Sequence, residues 1–488
     1  MNLNKQLRRK RMGFQSHNRK AINVRSGSIL NAKEINKQLI DINFLARILL
    51  SYLTFIVLIY FLNRNNSNRL TSFLLVNLSA LFALVVLSFR LNHKIGFNLL
   101  KIILIGYLIK LLIGYLFWEF YQFPDYFSNP SSIFKFNHRE FLLTEVWMKD
   151  MAKERISEGF FYLSQQTLNT KHYQIHYLMS NLYLSGSFNP FDIAVQNDLF
   201  SIYTSIIVLA ISKHLGATSR QMKYALIIAI FQPFSMISST IFRDIVGQFF
   251  VALGGYLTLL SINRKTHIAI LLLLIASFSM LIQRYLYFFF PTLCYTAYMI
   301  IKSKNKYQLL YLPFIIGPII YLNNQFSLSD DLSSYGENLT VNNLWIYLPL
   351  NLLRIFIGAF PWNQWLLFND NTIFQIAEYF QSVITISLVI LCIKGFMQKR
   401  FLSFQRNSTS LFLIILFIPF VFGALGTVDI HQGYMTTGAI FLIPPVISVI
   451  PLSKFIRLNL FILLLFLYFN AIFISSGLSG TGIGASTR

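Results

Sequence analysis

Charge is scarce in this sequence, and negative charge is scarcest. Of 488 residues only 12% are charged, with 18 Asp and Glu against 41 Lys and Arg. Hydrophobic residues make up 55% and aromatics 16%, more apolar surface than a water-soluble domain can hide. Lipid is the expected solvent. Cysteine is almost missing: Cys294 and Cys392 both lie inside apolar runs, which excludes a disulfide framework and a CxxC metal site. There is no P-loop, no HExxH-type spacing among the histidines, no internal repeat and no low-complexity domain, so nucleotide hydrolysis and zinc hydrolase chemistry have no motif to rest on. No small-residue cleavage site follows the first apolar run, which reads as an uncleaved signal anchor.

What is abundant is positive charge, at a formal net +23. It could serve nucleic acid, but the basic residues sit in short clusters between apolar runs and not on one polar domain, so they read as topology signals and no nucleic-acid partner is expected. Crossing a hydrocarbon core takes about 20 apolar helical residues. Thirteen runs approach that length: 44–62, 70–89, 97–118, 193–212, 224–242, 245–262, 267–283, 285–301, 307–323, 374–393, 409–426, 434–451 and 456–475. The fold expected is all-α, a polytopic transmembrane helical bundle of about 11–13 spans with large outer-face loops carrying amphipathic helices.

Orientation follows from Lys and Arg. Ten of them precede Asn43, Arg8, Arg9, Lys10 and Arg11 in one cluster, which places the N-terminus in the cytoplasm. Alternate connections are then basic, as at Arg90 and Lys94, Lys213 with Arg220 and Lys223, Lys302 with Lys304 and Lys306, and Lys394 with Lys399 and Arg400. Sixteen of the 18 acids fall at or near the opposite face, although acids were not used to set the topology. The organisation expected is a basic cytoplasmic segment 1–43, a single transmembrane domain 44–475 with outer loops 119–192 and 324–373, and a flexible tail 476–488, in a bacterial inner membrane. Within the first outer loop, 138–158 sets Phe141, Leu142, Val146, Trp147 and Met151 at helical spacing among charges, an amphipathic helix suited to a membrane surface. Residues 345–365, with two prolines and an arginine among tryptophans, read as an interfacial or re-entrant element.

Charges at membrane depth are costly unless paired or used, so each is a candidate. Arg243 stands beside Asp244 between two apolar runs with almost no loop; it closes an interfacial turn with that acid, or it faces an outer cavity and binds phosphate. Arg284 and Arg354 occupy comparable positions, with snorkelling as the plain alternative. Three arginines arriving separately at one face point to an anionic substrate group. Among the acids, Asp125 follows the third span directly, between aromatics that could raise its pKa or hold a sugar face. Glu140 and Glu145 open the amphipathic helix, where they also favour its N-terminus electrostatically. Asp429 and His431, in a short outer turn, are supporting candidates with Asp244. Lys110 is the one basic residue deep inside an expected span; it faces a cavity, pairs with an acid from a neighbouring helix, or snorkels.

Two stretches carry a resemblance. HYLMSNLYLSGSFNPFDIAVQNDLFSIYTSIIVLAI, closing the acidic outer segment, and IIAIFQPFSMISSTIFRDIVGQFF, a span with a central proline followed by the Arg243-Asp244 pair, resemble the GT-C class of membrane glycosyltransferases over residues 119–260. Bacterial surface-polysaccharide (O-antigen-like) repeat-unit polymerases share much of the layout. The resemblance implies a polyprenyl-phosphate-linked sugar donor and a glycan acceptor meeting at the outer face, with membrane lipid around them. It implies that Asp125, Glu140 or Glu145 takes the proton from an acceptor hydroxyl, while Arg243, Arg284 and Arg354 stabilise the departing lipid phosphate. No cofactor is expected, no metal ligand set is assigned, and the need for a divalent metal is left open. The rival reading is a transporter or flippase of lipid-linked oligosaccharide, which would also need arginines in a cavity; a structural or assembly partner is the third.

Overall fold

The computed structural model describes residues 44–64, 69–89, 91, 95–120, 138–159, 162, 178–185, 190–238, 243–262, 372–397, 410–417 and 438–475. Among these residues there are helices and turns and no strand. The helices are α1 (Phe44–Leu62), α2 (Arg69–Ser88), α3 (Leu99–Phe120), α4 (His138–Glu158), a 3-10 turn Asn181–Ser185, α5 (Pro190–His214), α6 (Ser219–Phe231), α7 (Pro233–Met236), α8 (Arg243–Ile262), α9 (Thr372–Met397), α10 (Ile443–Val449) and α11 (Leu452–Ser475), with residues 410–417 also helical.

Three of the described helices are long and apolar enough to cross a membrane: Phe44–Leu62, Thr71–Ser88 and Asp192–His214. A fourth is reached if α10 and α11, bent by 120° at Pro451, form one broken span. The apolar stretches of α8 and α9, Ile245–Leu260 and Phe380–Gly395, are shorter. Leu49, Leu53, Val57 and Phe61 on α1, and Leu460, Phe461, Leu464 and Tyr468 on α11, stand exposed. Such continuous apolar outer faces suit hydrocarbon and not water.

The centre of the bundle is α5. It packs against α2, α3, α6, α8 and α10, and its residues 192–212 are all buried. Local chemistry sets its ends. Pro190 opens it, where a missing N–H costs nothing, and Asp192 in the first turn complements the helix dipole. Gly216, at φ 76°, takes the left-handed turn that stops it, with the Gly216 N–H donating to the Lys213 carbonyl. Thr218 and Gln221 then close a capping box that starts α6. Close approach elsewhere needs glycine: a Cβ on Gly255 of α8 would stand 2.4 Å from the Phe441 ring.

Two expected spans are not continuous helices. The run 224–242 divides at Gln232, whose ψ of 143° is extended, because the ring of Pro233 excludes a helical residue before it; α7 then lasts four residues. In the described part of 434–451, a turn at 440–442 separates helical residues 438–439 from the helix Ile443–Val449, which has prolines in its first turn and ends before Pro451. The helix expected over 138–158 is present as α4. Its buried face is Met148, Met151, Ala152 and Arg155, with Asp150 and Lys153 exposed opposite. Met148, Ala152, Met179, Leu182 and Tyr183 join the same apolar core as α1, α2, α3 and α5, so this connecting segment is seated on the bundle.

Candidate functional site

Apolar helices this closely packed leave few places for polar groups, and the bundle gathers several of them along α5. The inner group centres on Lys110 of α3, whose side chain is wholly buried. Its Nζ donates to the backbone carbonyl of Ser235, to the Ser235 hydroxyl at 2.9 Å, to the Ser201 hydroxyl at 3.1 Å and to the Ser238 hydroxyl at 3.3 Å. Ser201 and Ser235 share a hydrogen bond of 2.5 Å. Ser238 passes the contact on, donating to Asp198 Oδ1 at 2.6 Å. A lysine and an aspartate are thus joined through one serine hydroxyl.

Each member has a structural reason to be there. Asp198 and Ser201 are three apart on α5 and so share a face. Ser235 and Ser238 are brought in by the break at Pro233, which turns the chain across the end of α6. Other hydroxyls of α5 are not part of the group: Thr204, Ser205 and Ser212 donate to the carbonyls four residues back. At 1.5 Å per residue, Lys110 lies about 15 Å from the end of α3 and Asp198 about 12 Å from the start of α5. Both charges are well inside the bundle.

The outer group is at the end of the bundle where α1 stops and α2 and α5 begin. Asp192, fully buried, accepts from Ser72 and from Asn63 Nδ2, each at 3.4 Å, while Asn63 donates to Ser72 at 2.9 Å. Gln196 lies one turn further in, buried, with neither amide atom hydrogen-bonded among the described residues. Two tyrosines continue the polar seams, Tyr203 sharing a 2.9 Å bond with Ser51 and Tyr107 donating to Asn77 at 2.6 Å. On the segment seated on the bundle, Arg155 is 3% exposed and donates to Ser180 at 2.8 Å. A buried guanidinium there is a donor suited to phosphate or carboxylate.

The residues singled out from the sequence fall differently. Asp125, Arg284, Arg354, Asp429 and His431 lie outside the described residues. Glu140 and Glu145 are on α4, and Arg243 and Asp244 open α8, so the structure places their backbones and not their side chains. Lys110 is the exception. Of its three readings, pairing with an acid from a neighbouring helix comes nearest: Lys110 is buried among hydroxyls and reaches Asp198 through Ser238 and not by a direct ion pair. Asp192 and Asp198, grouped by sequence with acids at or near the outer face, are both buried inside the bundle. Asp198, Ser201, Ser235, Ser238 and Arg155 were not singled out; the signal available was an acid inside an apolar run, since Asp198 sits within 193–212.

Among the described residues no group of three His, Cys, Asp or Glu side chains stands close enough to hold a metal ion. Comparison of the chain with family models, with curated proteins and with solved structures finds no match.

Proposed function

We propose that this chain is a multi-pass enzyme of surface-polysaccharide synthesis, a glycosyltransferase or repeat-unit polymerase that acts on polyprenyl-phosphate-linked sugars at the outer face of a bacterial inner membrane. The fuller architecture of this reading has about a dozen spans and a cytoplasmic N-terminus. The observation that carries it is the seated segment between α3 and α5. A connection that only tethered two spans would have no reason to bury an arginine, yet α4 and the Asn181–Ser185 turn dock on the bundle core with Arg155 between them. A guanidinium held on the bundle core is a donor of the kind that pairs with phosphate, and the apolar outer faces of the helices suit a polyprenyl tail, which supports this reading. Asp125, Glu140 and Glu145 belong to the same connection and remain the proposed bases, with Arg243, Arg284 and Arg354 on the leaving phosphate.

A second reading, a transporter or flippase of lipid-linked oligosaccharide, is favoured by one observation. Lys110 and Asp198 are held inside the bundle next to the broken helix α6–α7, and intramembrane charge beside a discontinuous helix is a common feature of transport sites. One experiment separates the two. Asp125, Glu140, Glu145, Arg155, Arg243, Arg284 and Arg354 are replaced singly by Ala in cells lacking the native gene, membrane levels are checked, and surface glycan and lipid-linked intermediates are profiled. The enzyme reading expects a carboxylate variant and an arginine variant each to lose long glycan while intermediates accumulate on the outer face. Intermediates retained on the inner face would favour transport, and normal glycan in every variant would sink the enzyme reading.

A further inference from the structure

The surroundings of Lys110 Nζ are those of a cation-binding hole. Four oxygens converge on one point, the Ser235 carbonyl and the hydroxyls of Ser235, Ser201 and Ser238, from two separate segments, α5 and the turn around α7. The serines at 235 and 238 reach it because the chain breaks at Gln232–Pro233, and the short turn that follows carries both toward α3 and α5. An ammonium has three N–H bonds to give, so four oxygens are more than the lysine can meet one to one. The set describes a coordination shell better than a fitted hydrogen-bond partner. Asp198, one hydroxyl beyond at 2.6 Å, supplies a single negative charge.

The donor set also specifies the class of cation. Neutral hydroxyl and carbonyl oxygens with one nearby carboxylate match one positive charge. Divalent ions are held by several carboxylates, carbonyls or waters at short range, and transition metals by imidazole or thiolate, neither of which is among these contacts. Size points the same way, since the hole holds a primary ammonium with its three hydroxyl oxygens at 2.9 to 3.3 Å.

We propose that this is a binding site for a small monovalent cation of the ammonium and alkali class, filled in the native chain by Lys110's own side chain. The lysine stem is a tether, and the site accepts a free cation once that ammonium is removed or withdrawn, with Asp198 as the counter-charge. This goes beyond either reading of function and rests on neither.

The test uses the full chain in detergent with Lys110→Ala, melted in methylammonium, sodium or potassium chloride, with tetramethylammonium at equal ionic strength as a cation too large for the hole. The truncated protein melts below the unaltered protein, and methylammonium raises its Tm in a saturable manner where tetramethylammonium does not. The unaltered protein shows no such rise, and adding Asp198→Asn to Lys110→Ala removes it. If Lys110→Ala does not accumulate, cells grown with and without methylammonium are compared, and recovery of the membrane level is the expected result. No response to any small cation, an equal response to tetramethylammonium, or a response that survives Asp198→Asn would each overturn the assignment.

Discussion

Removing one member of the buried pair should cost far more than removing both. The hydrogen bonds from Lys110 Nζ to Ser238 and from Ser238 to Asp198, 3.3 and 2.6 Å, place the ammonium no further than about 6 Å from the carboxylate oxygen. At an effective dielectric of about 20 two unit charges at that distance attract by about 3 kcal/mol. Lys110→Met keeps an unbranched stem and removes the ammonium, which leaves Asp198 buried with no cation beside it. Asp198→Asn keeps the shape and leaves the ammonium uncompensated. Stranding one buried charge typically costs about 3–5 kcal/mol, whereas replacing a whole buried pair is often neutral. Each single variant should therefore melt several degrees below the unaltered protein in a common detergent, and the double variant should recover most of the loss, with a coupling of about 3 kcal/mol. Membrane levels in cells should follow the same order. Additive deficits, with coupling under about 0.5 kcal/mol, would refute the idea that these two charges support one another.

Gly255→Ala should lower stability by about 1–3 kcal/mol, because its Cβ would sit 2.4 Å from Phe441 Cε1 and 3.2 Å from Leu416 Cδ1; Phe441→Leu in the same chain should return part of the loss in Tm. Thr218→Ala removes the hydroxyl that accepts from the Gln221 N–H, and thermal melting should show a loss of about 1 kcal/mol. Arg155→Ala should loosen the seat of α4, read as faster protease cleavage within 138–158 with little change in the melting of the bundle; unchanged cleavage would show that the contact to Ser180 does not hold the segment.

The long apolar helices were legible because hydropathy reports a local property, whether twenty consecutive residues prefer lipid. Phe44–Leu62 and Thr71–Ser88 are found where that argument puts them, and α4 covers the residues that its charge spacing defined. Averaging over a window hides what one residue does to the backbone. Pro233 sits in a run apolar enough to count as one span, yet it forces Gln232 out of the helix, and Pro451 ends α10 in the same way by holding Ile450 extended. The polar centre depends on that lost detail. Ser235 and Ser238 reach Lys110 only because the helix breaks two residues before the first of them, and they lie 125 and 128 residues from it in the chain. Each partner, read alone, is an ordinary small polar residue within an apolar stretch, and Lys110 could as well have snorkelled to an interface. What made the lysine worth marking was its cost in hydrocarbon. That cost implies partners without naming them, because the helices that supply them are chosen by packing between distant segments and not by spacing along the chain.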